Sequence, residues 1–340
     1  MSQYYLAPLE GITGYIYRNA YHQYFTPMDK YFTPFIETHT KRSFNKRELN
    51  DILPEHNEGM YVVPQLLTNN AEDFIRTAKD LKAMGYQEIN LNLGCPSGTV
   101  VSRKKGAGFL SVPQELDIFL EKIATEAVTE ISIKTRIGMS GPEEFEQLLA
   151  IYNKYPIKEL IIHPRVREDY YKNKPNLNVF EMALENSQNP VCYNGDIFTK
   201  EEAQKIQQRF ATAPMKMSAI MLGRGVIANP MLLEQIVSEE AGDKEKWNNE
   251  ICADVHSSSQ KEMKQRLYAF HNQILQDYSK VISGDKNVLF KMKELWTYLS
   301  CIFTESDRYC KKIRKTERIR EYEQIVASLF QEQEIKLDGK

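Results

Sequence analysis

Four polar residues, Lys134, His163, Asn194 and Arg224, stand 29, 31 and 30 residues apart, each at or just past the end of a short apolar run. An interval of about 30 residues is one strand plus one helix. Strand-like runs are read at residues 4–7, 30–35, 61–66, 88–93, 130–135, 159–163, 190–193 and 219–222, and helical spacing of apolar residues at 71–84, 114–127, 143–155, 179–186 and 200–210. This alternation predicts an α/β fold with a parallel sheet, and eight units predict a closed (β/α)8 TIM barrel. A fifth polar residue, Cys95, follows the fourth run. Active sites of such barrels are built from the carboxyl ends of the strands, so all five residues are expected at one mouth. An open doubly wound sheet would alternate similarly, without bringing the five together so naturally.

Cys95 lies in Asn90-Leu-Asn-Leu-Gly-Cys-Pro96, where Gly94 and Pro96 end the strand abruptly and turn the thiol toward whatever the loops enclose. Taken alone, such a cysteine could be a small apolar residue packed under a turn. Lys134 ends the buried-looking run Ile131-Ser-Ile-Lys134, where a charge must emerge at a polar site or be costly; a rim position is the plainer alternative. The turns Asn194-Gly195-Asp196 and Gly223-Arg224-Gly225 close the seventh and eighth units, where this fold usually binds phosphate. Glycines let backbone N–H groups approach an anion and an arginine can clamp it. Either turn could arise by chance; together they point to a phosphorylated ligand. Gln65, at the end of its strand, offers an amide donor and acceptor that could fix a heterocycle.

No apolar run in the 340 residues approaches the roughly 20 of a membrane span, and a soluble protein is expected. Five scattered cysteines, Cys95, Cys192, Cys252, Cys301 and Cys310, and an N-terminus without a signal-like stretch suggest a reducing cytoplasm. No cysteine pair or histidine cluster has metal-ligand spacing, so no metal is expected. The net charge of −2 argues against indiscriminate nucleic-acid binding, although averages hide local patches. After Pro230 the rhythm stops. Residues 241–260 are polar, with a Ser257-Ser-Ser259 run, and read as a linker; from Lys261 the chain looks helical, at 267–278, 288–303 and 313–330. A barrel domain at 1–240 and a helical domain at 241–340 are therefore expected. Between Arg308 and Arg320 lie seven basic residues and one acid, which on a helix is either a solvated face or a surface for a polyanion.

These segments, in this order, resemble the tRNA-dihydrouridine synthase family. Ala7-Pro-Leu-Glu-Gly-Ile-Thr13 is similar to its N-terminal flavin loop, and Asn90 to Pro96 with Gly106-Ala-Gly-Phe-Leu110 to its catalytic-loop signature. Lys134-Thr-Arg136, Ile162-His-Pro-Arg165, Asn194-Gly-Asp196 and Gly223-Arg-Gly225 complete the set, over about residues 4–230. The resemblance implies FMN as cofactor, NADPH as reductant and a uridine in tRNA as substrate. It places Ala7, Pro8 and Leu9 against the flavin, Gln65 and Lys134 on its ring, His163 beside it, and Asn194, Gly195, Asp196, Gly223 and Arg224 on its phosphate. Asn92 and Arg165 would address the target base, and Cys95 would be the acid. The chain departs from the family pattern at Leu9-Glu10, at Thr13-Gly14 and at Pro164, where a glycine commonly follows the histidine.

Reducing the C5=C6 bond of uracil needs a hydride at C6 and a proton at C5. A thiol with an ordinary pKa near ~8.5 is mostly protonated at neutral pH and can supply that proton. Arg103-Lys104-Lys105 would favour the thiolate if they pointed inward, so Arg103 and Lys104 are expected to face outward, on RNA phosphates. Lys311, Lys312, Arg314 and Lys315 of the tail are expected to do the same. Three rivals stay open: a flavin barrel acting on a small pyrimidine such as dihydroorotate, a synthase acting on ribosomal RNA, and a non-catalytic RNA-binding protein on a retained barrel. Nothing in the chain signals an obligate protein partner.

Overall fold

Prolines interrupt two of the eight expected strands, because a proline has no N–H to give to a ladder. Pro34 falls between β2 (Lys30–Phe32) and β3 (Ile36–Glu37), and Pro64 between β4 (Val62–Val63) and β5 (Gln65–Leu67). The computed structural model describes residues 2–39, 44–211, 213, 216–240 and 253–336. The other strands are β1 (Gln3–Leu6), β6 (Glu88–Leu93), β7 (Glu130–Arg136), β8 (Leu160–His163), β9 (Val191–Tyr193) and β10 (Ala219–Leu222). All pairings are parallel, in the order β3-β5-β6-β7-β8-β9-β10-β1-β2-β4. The pieces β2 and β3 belong to one strand and β4 and β5 to the next. Pairing of Tyr31 with Val62 and of Ile36 with Leu66 therefore joins the two ends of the order, and the sheet curls into a (β/α)8 barrel.

The helices are α1 (Tyr15–Tyr24), α2 (Lys46–Ile52), α3 (Ala71–Ala83), α4 (Gly98–Val101), α5 (Pro113–Thr125), α6 (Glu144–Tyr152), α7 (Leu177–Asn186), α8 (Lys200–Phe210), α9 (Arg224–Ala228), α10 (Leu232–Glu240), α11 (Ala253–Val281), α12 (Asp285–Leu299), α13 (Asp307–Lys315) and α14 (Ile319–Glu332). Their starts follow from local chemistry: Thr199 and Glu202 form a reciprocal cap on α8, and the Asn70 side chain accepts from the Asp73 N–H on α3. Strand residues alternate between two apolar layers. Tyr5, Ala7, Phe32, Val63, Ile161, Cys192 and Met221 fill the barrel interior, while Leu6, Leu91, Leu160, Ile162 and Leu222 belong to the larger core that includes the helices.

The tail corrects two expectations. Residues 253–260 are not linker but the start of α11; residues 241–252 lie outside the described residues. A serine costs only a few tenths of a kcal/mol in a helix, too little to stop one anchored downstream by buried Leu267, Phe270 and Ile274. The basic run does not lie on one helix either. It breaks after Lys315, where the Thr316 hydroxyl donates to the Ile313 carbonyl at 2.8 Å, and α14 restarts with the Ile319 N–H on Asp285 at 2.9 Å. The tail docks on the barrel through Phe270, whose ring meets Tyr17 at 5.6 Å and Phe25 at 5.1 Å edge-on, and through Arg266 paired with Glu234 at 2.7 Å. Among the described residues no helix is long and apolar enough to cross a membrane.

Candidate active site at the barrel mouth

The Cys95 loop is held from inside the barrel. Polar residues of β6 point into the lumen and form a relay of amides: Asn90 donates to the Ser132 hydroxyl at 2.9 Å, Gln65 donates to Asn90 at 2.8 Å, and Asn92 donates to Gln65 at 2.7 Å. The Asn92 side-chain oxygen Oδ1 then accepts from the Gly94 N–H at 3.0 Å and the Cys95 N–H at 2.9 Å. Buried amides are costly unless paired, so each link fixes the next. Cys95 itself is half-buried. Burial pushes its thiol up, Glu10 adds to the rise, and the Ser97 N–H with the charges of Arg136 and Lys134 opposes it. The balance keeps the thiol protonated.

Lys134 is the register partner of Asn92, so it stands next to the cysteine loop on the adjoining strand. Its side-chain ammonium has no hydrogen bond or ion pair among the described residues. Burial, with the Arg136 charge beside it, brings its ammonium down to about 8. Arg136, two residues on and buried, donates to the carbonyls of Gly94 at 3.0 Å, Val166 at 2.9 Å and Tyr170 at 2.8 Å. It thereby ties the Cys95 loop to the loop after β8. In register with Arg136 is His163. Burial and the charges of Arg136, Lys134, Arg165 and Arg224 hold its imidazole well below the ordinary range, hence neutral. Arg165 Nη1 donates to His163 Nε2 at 3.0 Å, which leaves the ring proton on Nδ1.

Asp196 balances two of these cations. Arg165 reaches its carboxylate with both Nη atoms, one at 3.0 Å, and Arg224 donates to it at 2.6 Å. The Arg224 guanidinium also lies 4.2 Å from the centre of the Tyr171 ring, which stacks on His163 at 6.0 Å. The turns around Asp196 are closed to side chains: a Cβ at Gly195 would overlap the Tyr193 hydroxyl, and one at Gly225 the Ile197 carbonyl. The backbone N–H groups of Gly195, Asp196 and Arg224 have no acceptor among the described residues. Asn194 is pinned by donating to the Met221 carbonyl at 2.9 Å. The Ala7 N–H donates to the Leu222 carbonyl at 2.8 Å, so Ala7, with half-buried Pro8 and Leu9, adjoins Gly223; the Leu9 N–H is held by the Thr13 hydroxyl at 2.7 Å.

The mouth therefore gathers Cys95, Asn92, Gln65, Lys134, His163, Arg165, Asp196, Arg224 and the residues around Gly195 and Gly223. With Arg136 beside them, the cations Lys134, Arg165 and Arg224 outnumber the one carboxylate, Asp196, that pairs with two of them, an excess of positive charge suited to an anionic ligand. Asn92, Gln65 and Arg165 spend most of their polar valence inside the protein. The Asp196 carboxylate, which would repel a phosphate, works on Arg224, leaving its N–H as the group that could face an anion. The rim residues lie apart: Arg103 pairs with Glu37 at 2.9 Å and Lys104 with Glu115 at 2.9 Å, both outward and away from the thiol. On the tail, Lys311, Lys312, Arg314 and Lys315 are exposed and form no ion pair among the described residues. Reasoning from sequence missed Asn90, Ser132, Arg136 and Tyr171. Of these only Arg136 left a signal, as a second cation on the face of Lys134.

A family model described as dihydrouridine synthase matches residues 5–337. Among curated proteins, a "Probable tRNA-dihydrouridine synthase" of Staphylococcus aureus (strain COL) is 27% identical over 241 residues, covering 68% of this chain and 70% of that protein. A "Probable tRNA-dihydrouridine synthase 2" of Bacillus subtilis (strain 168) is 24% identical over 263 residues, covering 76% and 79%. A solved structure of phosphoribosylanthranilate isomerase from Thermotoga maritima aligns over 71% of this chain and 100% of that one, with 12% identity and a TM-score of 0.42.

Proposed function

This chain belongs to the dihydrouridine synthase family, and from that premise we propose that it reduces the C5=C6 bond of specific uridines in tRNA, with FMN as cofactor and NADPH as reductant. The observation that carries the proposal is the Cys95 thiol, kept protonated by burial and fixed by Asn92 beside Lys134 at the barrel mouth.

The residues present fit FMN. The N–H groups of Gly195, Asp196 and Arg224, with the Arg224 guanidinium, offer donors to its phosphate, and Asn194 and Gly223 shape the turns that carry them. Ala7, Pro8 and Leu9 would flank the ring system, and Gln65, Lys134 and His163 would face it. Lys134 is a cation without an internal partner, suited to negative charge on a reduced ring. When bound, FMN would supply the hydride for C6 of the uracil, after reduction by NADPH.

Cys95 Sγ–H gives its proton to C5. The thiolate left behind is stabilised by the Ser97 N–H and the charges of Arg136 and Lys134, and it takes a proton back from water. Asn92 has one amide N–H beyond the one it gives Gln65, and Arg165 keeps one N–H beyond those given to Asn173, His163 and Asp196. These would address the base. A stacked uridine cannot reach the mouth, so the RNA must present it extruded, with rim and tail cations on the flanking phosphates. The test is incubation of the purified, FMN-loaded protein with NADPH and unmodified tRNA, followed by nucleoside mass spectrometry. Dihydrouridine is expected; its absence, with the flavin reduced and tRNA bound, would sink the proposal.

A further inference from the structure

Phe290 is 60% exposed on α12, and its surroundings are not those of a stray surface residue. Next to it in sequence, Lys291 lies 5.8 Å from the ring centre and donates at 3.1 Å to the Gly11 carbonyl, in the loop after β1. Gly11 lies five residues past the carboxyl end of β1, in the loop whose Ala7 adjoins Gly223, so this part of α12 stands at the rim of the mouth. On the helix face that carries Phe290, the neighbours are Lys286 at i−4, Lys293 at i+3 and Glu294 at i+4, the last paired with Lys291 at 3.1 Å. Lys286 pairs with Glu317 at 2.9 Å and Lys293 donates to the Thr316 carbonyl at 2.6 Å, which brings the turn between α13 and α14, with its cations Lys315 and Arg318, against the same face. An exposed ring thus sits where the basic run of the tail meets the opening above Cys95.

We propose that Phe290 stacks on a base of the substrate RNA next to the extruded uridine. The inference rests on the function proposed above. Extruding one base breaks the stack on both sides of it, and an apolar ring held at the mouth can cover an exposed base face. Lys293, Lys315 and Arg318, which form no ion pair among the described residues, offer charge to the phosphates on either side of that base, and every base offers a π-face, so the contact needs no particular sequence.

Three variants test this: Phe290→Ala, Phe290→Leu and Phe290→Trp, each assayed for tRNA affinity, for dihydrouridine formation and for flavin reduction by NADPH. Loss of base–aromatic stacking should weaken tRNA binding roughly 5- to 100-fold in the alanine and leucine variants, while tryptophan stays within about twofold of the parent. Flavin content and its reduction should not change. Emission of the introduced tryptophan should be quenched by tRNA beyond the change seen with the parent protein. The proposal is overturned if Phe290→Ala binds tRNA like the parent, if leucine serves as well as tryptophan, or if the tryptophan emission is indifferent to tRNA. A changed oligomeric state with unchanged tRNA binding would also overturn it, by assigning the ring to a protein contact. Its fate separates from that of the enzyme assignment. Variants that differ in tRNA binding while no form makes dihydrouridine would overturn only the catalysis, and equal variants with active parent protein would overturn only the stacking.

Discussion

The backbone N–H of Cys95 donates to Asn92 Oδ1 at 2.9 Å, and the same Asn92 gives its amide N–H to Gln65 at 2.7 Å. The thiol is therefore placed by the lumen of the barrel, through β5, β6 and β7, as well as by its own loop, where the Ala107 N–H donates to the Cys95 carbonyl at 3.0 Å. Asn92→Ala would leave Gln65 and two loop N–H groups without their partner. Misplacement of a reacting group by about 1 Å can cost 10²-fold, so uridine reduction should fall by roughly one to two orders of magnitude. Flavin content should hold, because the phosphate turns lie across the mouth on β9 and β10. Single-turnover rates with protein carrying reduced FMN would check this.

Cys95 should set the alkaline limit of the reaction. Only the protonated thiol can act, and burial raises its pKa, which extends the active form upward in pH. Dihydrouridine formation should persist through neutral pH and fall only as pH climbs through a value above the ordinary thiol range. A pH–rate profile that already declines below neutrality would contradict the role. Cys95→Ala should slow the reaction about 10²- to 10⁴-fold and leave NADPH-driven flavin reduction intact.

Lys134 makes a separate prediction for cofactor binding. Its ammonium, at about 8 without ligand, is charged below that value and neutral above it. Negative charge on a reduced ring facing it would favour the charged form, so flavin reduction should take up a proton there and raise this pKa. Binding of reduced relative to oxidised flavin should then weaken as pH rises through 8, and Lys134→Met should flatten that dependence. Redox titrations of the FMN-loaded protein at several pH values would show it.

The tail cations carry the salt dependence. Lys311, Lys312, Arg314 and Lys315 are exposed and lack ion-pair partners among the described residues, so their charge is available to phosphates. Replacing all four with glutamine should weaken tRNA binding and lower the slope of log affinity against log salt by about 0.7 to 0.9 per lost contact. Flavin reduction should be unaffected. Equal slopes for the variant and the parent protein would return this segment to a solvated surface.

What could be read in advance follows physical cost. A lysine at the end of a buried strand is expensive unless it emerges at a polar site, so Lys134 stands out, and the spacing from it through His163 and Asn194 to Arg224 marks the barrel units. Asn90 and Ser132 do not stand out, because a polar residue in an alternating strand looks the same whether it faces solvent or a polar lumen. The roles of Arg136 and Asp196 depend on carbonyls and guanidinium groups from separate loops, a tertiary fact with no local spacing. Tyr171 and Phe290 sit in a loop and on a helix surface, where an aromatic carries no periodic signal. The start of α11 was hidden by serines, and the break in the basic run by a threonine turn that charge counting ignores.

The most direct test is a map of dihydrouridine in total RNA from cells with the gene, without it, and without it but carrying a Cys95→Ala copy. Defined tRNA positions should lose dihydrouridine when the gene is removed and should not regain it with the Cys95→Ala copy. A map identical in all strains would contradict the assignment, as would full restoration by the variant.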